Sequence, residues 1–117
     1  MPELGPAAVV RAQLEAYNSH DVERMLSFYT EDAVILDRDG GVIDAGREAM
    51  RQGFTELFAG VPDLRAEYLA PIEVGEWVAL ICVVPNWRMP DGAVQEMKWL
   101  EVLHVAGGKI KELRLYH

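Results

Sequence analysis

The chain has 117 residues, 50% of them hydrophobic and 26% charged, a balance that supports one small globular domain over residues 1–117. Nineteen acidic against eleven basic side chains leave a formal net charge of -8, a field that repels phosphate backbones and anionic lipid heads and so argues against nucleic acid and membrane as partners. The single cysteine, Cys82, rules out an internal disulfide framework, and without a basic-then-apolar leader or a run near the ~20 apolar residues of a membrane span the sequence predicts a cytoplasmic protein.

From Ala7 to Tyr17, the residues Val9, Val10, Leu14 and Tyr17 recur at helical spacing with Arg11 and Glu15 on the other side, which predicts a first amphipathic helix. Asn18-Ser19-His20-Asp21 interrupts it. Asp21 and Glu23 then place negative charge beside the exposed N–H groups of a second helix carrying Val22, Met25, Leu26 and Tyr29. Ala33 to Leu36 and Val42 to Asp44 read as short strands joined by the tight-turn sequence Asp37-Arg38-Asp39-Gly40-Gly41. A third helix begins near Gly46 or Arg47, buries Met50, Phe54, Leu57 and Phe58, and stops at Gly60-Val61-Pro62.

After Pro62 the pattern changes to long strands, Leu64 to Ile72, Trp77 to Trp87, Val94 to Val105 and Lys109 to Tyr116, linked by short turn-rich segments that suit antiparallel neighbours. Helices followed by a meander predict an α+β domain with the helices packed on one face of the sheet. Trp87, Trp99 and Leu103 are expected on the face away from the helices, where they would form an apolar patch that a homodimer covers.

Most catalytic constellations are absent. There is no Gly-rich phosphate loop, nucleophile elbow, C-x-x-C pair or H-E-x-x-H helix. Ser19 and Ser27 have no evident base, and His20, His104 and His117 lack acidic neighbours at metal-ligand spacing, so neither a serine nucleophile nor a metal is expected.

Tyr17-Asn18-Ser19-His20-Asp21 followed by Phe28-Tyr29-Thr30-Glu31-Asp32-Ala33-Val34 resembles the opening of the nuclear-transport-factor-2-like superfamily, and Gly46-Arg47-Glu48-Ala49-Met50 and Gly107-Gly108-Lys109-Ile110 are similar to its third-helix start and last hairpin. That superfamily includes ketosteroid isomerases and SnoaL-like polyketide cyclases. The resemblance implies a cystatin-like α+β cone, a curved antiparallel sheet wrapped around three N-terminal helices and open to a small apolar ligand. It further implies a cofactor-independent isomerase, cyclase or dehydratase in which Asp37 is the general base, with a non-catalytic ligand-binding or dimeric accessory domain as the alternative. Gln13 stands where the isomerases carry their oxyanion tyrosine, and Leu100 where they carry a protonated aspartate. His117 or His104 could complete an acid–base pair with Asp37, while Tyr17, Phe54, Phe58, Leu100, Leu113 and Leu115 would contact the substrate. The Arg and Asp arrangement of the superfamily's epoxide hydrolases is not present on any strand.

Overall fold

A computed structural model describes residues 4–116. Helix α1, Pro6–Asn18, opens on a proline, whose fixed φ suits the first helical position and whose missing N–H would have had no partner there. It buries Val9, Val10, Gln13 and Ala16 against the sheet. Helix α2, Val22–Leu26, is capped by Asp21, which accepts the Arg24 N–H at 3.1 Å. Strands β1, Tyr29–Leu36, and β2, Val42–Ala45, form a hairpin, and helix α3, Arg47–Gly60, follows. Strands β3, Glu67–Val74, β4, Trp77–Arg88, β5, Val94–Ala106, and β6, Lys109–Tyr116, complete the chain order.

Gly46 makes the passage from β2 into α3 at a φ of 84°, a left-handed conformation that a residue with a Cβ rarely adopts. Asn18, at the end of α1, exchanges two hydrogen bonds with the backbone of Ala66, Nδ2 to the carbonyl at 2.9 Å and Oδ1 from the N–H at 2.8 Å. His20 bonds the Leu64 carbonyl at 2.7 Å and stacks on Phe58 at 4.3 Å between ring centres. These side chains fix the helical layer over the start of β3.

The six strands lie in the order β2-β1-β6-β5-β4-β3, a sheet that curls without closing. Four of its pairings are antiparallel, as the short connections require. The fifth is parallel: β1 lies beside β6, with Tyr29 opposite Ile110 and Ile35 opposite Leu113, so the expected antiparallel sheet is mixed at its centre. Tyr29 begins β1 instead of ending α2. It is 1% exposed and paired with β6, a position that a β-preferring aromatic side chain fills well.

The faces of β4 and β5 also differ from expectation. Trp99, Glu101, Leu103 and Val105 alternate toward the helices, with Leu103 fully buried, whereas Leu100 is 43% exposed on the opposite face. A bulge between Val84 and Trp87 changes the parity of β4 and turns Trp87 inward as well. The outer face carries other apolar residues. Leu69, Ile81 and Leu100 line up across β3, β4 and β5 by register, flanked by exposed Ile72, Val74 and Trp77.

Candidate active site

Between α1, α3 and the inner face of the sheet lies a cavity of about 330 Å³. Its wall is mostly apolar and aromatic, with Tyr17 from α1, Phe54 and Leu57 from α3, Tyr68 from β3, Trp87 from β4 and Trp99 from β5. Few polar groups interrupt it, and the chemistry of the site rests on them.

Glu101 is the most consequential. It lies on the inner face of β5, is 4% exposed and lines the cavity. Its Oε2 accepts the indole N–H of Trp99, two residues earlier on the same face, at 2.8 Å. Its Oε1 is buried with no hydrogen-bond partner among the described residues. Burial raises the Glu101 pKa above the ordinary carboxylate value, and the neighbouring Trp99, Cys82 and Tyr68 offset this only in part. A buried carboxyl with one unsatisfied oxygen is costly to keep in an apolar wall, so its presence there calls for a role beyond packing.

Beside it runs a chain of polar side chains. The Tyr29 hydroxyl donates to Gln13 Oε1 at 2.5 Å, and Gln13 Nε2 donates to the Tyr68 hydroxyl oxygen at 3.2 Å. Gln13 is 2% exposed, so these two bonds satisfy an amide that water scarcely reaches. Tyr68, accepting from Gln13, has its own proton to donate, and the Glu101 carboxyl is one acceptor within its reach. Desolvation pushes the Tyr68 pKa well above the usual phenol value, which keeps it a neutral donor.

A second carboxyl, Asp44 on β2, lines the same cavity at a half-buried position, and partial desolvation raises its pKa. Its side chain lies against α3 at Gly53, where a Cβ would come within 3.5 Å of Oδ2. Cys82 also lines the cavity, and burial pushes its thiol far above the usual value, so it stays protonated.

The residues expected from the sequence are distributed as follows. Gln13, Tyr17, Phe54, Leu113 and Leu115 all line the cavity. Phe58 is packed behind it, edge-on to Tyr17 with ring centres 5.2 Å apart, and so supports the wall without forming it. Leu100 faces away from the helices. Asp37 is not among the lining residues: its Oδ1 accepts the N–H groups of Asp39 and Gly41 at 2.9 and 2.8 Å, and its own N–H donates to the Gly41 carbonyl at 2.8 Å. It closes its own turn so tightly that a Cβ at Gly41 would stand 2.6 Å from Oδ2. That demand of the hairpin, not a ligand, sets the Asp37 side chain. His117 lies outside the described residues. No sequence motif marks Glu101, Asp44 or Tyr68, although the large apolar residues two positions to either side of Glu101, Trp99 and Leu103, are a period-2 signal that it faces inward.

The raised Glu101 pKa has a consequence for stability. The folded state holds this proton more tightly than the unfolded chain, so the contribution is complete below the ordinary carboxyl value of ~4.3 and is lost as pH rises through the folded-state value. Asp44 adds a slope of the same sign. Urea denaturation at pH 5 and pH 8 is expected to show the wild type losing more stability over that interval than Glu101→Gln. Equal losses would mean that Glu101 binds its proton no more tightly when folded.

The profile of the SnoaL-like domain family matches residues 10–113. No curated protein matches the chain. Among solved structures, an uncharacterised cystatin-fold protein from Novosphingobium aromaticivorans is 27% identical with a TM-score of 0.88, over 97% of this chain and 99% of that one. IdmH from Streptomyces antibioticus, provisionally assigned as a polyketide cyclase, is 25% identical with a TM-score of 0.77, over 94% of this chain and 89% of its own. A protein from Catenulispora acidiphila with a ketosteroid isomerase-like fold, solved in complex with trimethylamine, shares the fold at 16% identity and a TM-score of 0.79, over 97% of this chain and 87% of that one.

Proposed function

This chain belongs to the SnoaL-like domain family, and on that premise we propose that it is a cofactor-independent small-molecule enzyme that moves a proton on an enolisable, apolar ring substrate, with Glu101 as its acid–base group. The observation that carries the reading is the free, buried Oε1 of Glu101 in the wall of an apolar cavity. A carboxyl whose pKa is moved upward toward neutrality is a better proton acceptor at physiological pH than an ordinary one.

In the ionised state, Glu101 takes a proton from the carbon beside a substrate carbonyl, and the C–H electrons move into the enolate. Tyr68, polarised through the chain from Tyr29 and Gln13, is the donor suited to the developing oxyanion. Return of the proton to another carbon gives isomerisation, and attack of the carbanion on a second carbonyl of the same molecule gives cyclisation. The dry aromatic wall keeps water from quenching the intermediate. Asp37, committed to its turn, has no part in this scheme.

Exchange of the α-protons of 2-tetralone in D2O, followed by NMR, tests the proposal. The protein is expected to accelerate exchange above buffer, whereas no acceleration, for this ketone or larger fused-ring homologues, would favour a non-catalytic ligand-binding domain of the same fold.

We further propose a homodimer through the outer face of the sheet, because the band formed by Leu69, Ile81 and Leu100 with Trp77 is a contiguous apolar surface whose burial contributes roughly 25 cal/mol per Å². Sedimentation velocity at micromolar concentration is expected to give a species of twice 13.1 kDa, and Ile81→Asp to shift it to the monomer. A wild-type species of 13.1 kDa would overturn this assembly.

A further inference from the structure

The cavity wall is unusual in its charges. Two carboxyls, Asp44 and Glu101, face a space ringed by five aromatic side chains, and no lysine or arginine is among the described lining residues. No hydrogen bond or ion pair reaches Asp44 or the Oε1 of Glu101 among the described residues. Carboxylates left without a positive partner in a partly dry site favour a ligand that brings one. Electron-rich faces of Trp and Tyr attract the same kind of ligand, because their quadrupoles stabilise a cation within about 6 Å of the ring centre. An anionic ligand would meet only repulsion.

We infer that this cavity selects an amine: an apolar fused-ring compound whose protonated nitrogen sits against Asp44 while its rings lie among Tyr17, Phe54, Trp87 and Trp99. The two carboxyls divide the work by depth. Asp44 is half-buried, so an ammonium group beside it keeps part of its hydration and avoids the full cost of burying a charge. Glu101 is 4% exposed and already holds the Trp99 N–H, so it lies beside the buried part of the ligand and remains available for proton transfer. Gly53 contributes by omission. With no side chain at that position of α3, no Cβ takes the place 3.5 Å from Asp44 Oδ2 in the cavity wall. The net charge of -8 also draws a cation toward the protein.

The inference names the substrate class of the proposed site and rests on that site being the ligand cavity. Its test is a binding measurement, so it stands or falls separately from turnover. 2-Aminotetralin, an ammonium ion at pH 7, and its neutral isostere 2-tetralol are titrated into the wild-type protein, with calorimetry as the readout. The amine is expected to bind about tenfold tighter or more, the gain of a desolvated cation–π and carboxylate contact. Asp44→Asn is expected to remove most of that preference while leaving 2-tetralol affinity in place, and because Asp44 is half-buried and unbonded the variant should fold. Equal or tighter binding of 2-tetralol by the wild type, or an Asp44→Asn protein that keeps the full preference, would overturn the inference. If the amine preference is found and tetralone exchange is not, the amine-binding assignment holds and the enzymatic reading fails.

Discussion

In the tetralone exchange assay, Glu101→Gln is expected to lower the protein-dependent rate by about 10²-fold or more while leaving ligand affinity within a few-fold of the wild type. Glutamine matches the shape of the carboxyl and can still accept the Trp99 indole N–H, so the packing around β5 is preserved. It cannot accept a proton at neutral pH. The substitution therefore separates the two duties of the residue, filling the wall and moving the proton. A variant as active as the wild type would remove Glu101 from the chemistry, and a variant that loses affinity and rate together would assign it to binding. The urea series at pH 5 and 8 supplies an independent control on the same protein, since it reports proton binding by the carboxyl without any substrate.

The second large effect concerns strand parity. Leu103→Ala is expected to destabilise the fold by about 2–5 kcal/mol, the range for deleting most of a buried leucine and leaving a cavity. Leu103 is fully buried on the face that carries Glu101, and it pairs across the sheet with Val78 on one side and Leu113 on the other, both of them core residues. Leu100→Ala, three residues earlier on the outer face, is expected to cost the monomer far less, and to act mainly on self-association. Urea midpoints for the two variants at low protein concentration decide the matter. Similar losses at both positions would contradict the alternation that places Glu101 in the cavity.

That alternation marks where sequence reading succeeded and where it failed. The helices were legible because Val9, Val10 and Leu14, and then Met50, Phe54 and Phe58, repeat at helical spacing against polar neighbours. The cavity-facing edge of α1, Gln13 and Tyr17, was legible for the same reason. Strand β5 was not, because Trp99, Leu100, Val102, Leu103 and Val105 put apolar residues on both faces and the one acid between them reads as a solvent marker when it is a buried group. The bulge in β4 erased the parity of Trp87, which no local pattern reports. The family resemblance puts Asp37 at the position of the base, whereas its immediate neighbours, an Asp and a Gly pair two to four residues on, describe a self-satisfied turn. The parallel pairing of β1 with β6 had no local signal at all, because the partners are separated by a helix and four strands.

That last pairing governs how the molecule is made. The middle of the sheet, between the β1–β2 hairpin and the β5-β4-β3 meander, is occupied by β6, the final strand in chain order. On a ribosome the hairpin emerges early, yet β1 meets its neighbour only after residues 109–116 have left the exit tunnel, so the N-terminal half waits with an unpaired strand edge. Until then, neither Leu113 nor Leu115 can seal the cavity floor, and nascent chains present apolar surface to their surroundings. The fold is thus completed from its centre, and a chain interrupted before β6 leaves two sheet fragments with no strand to join them.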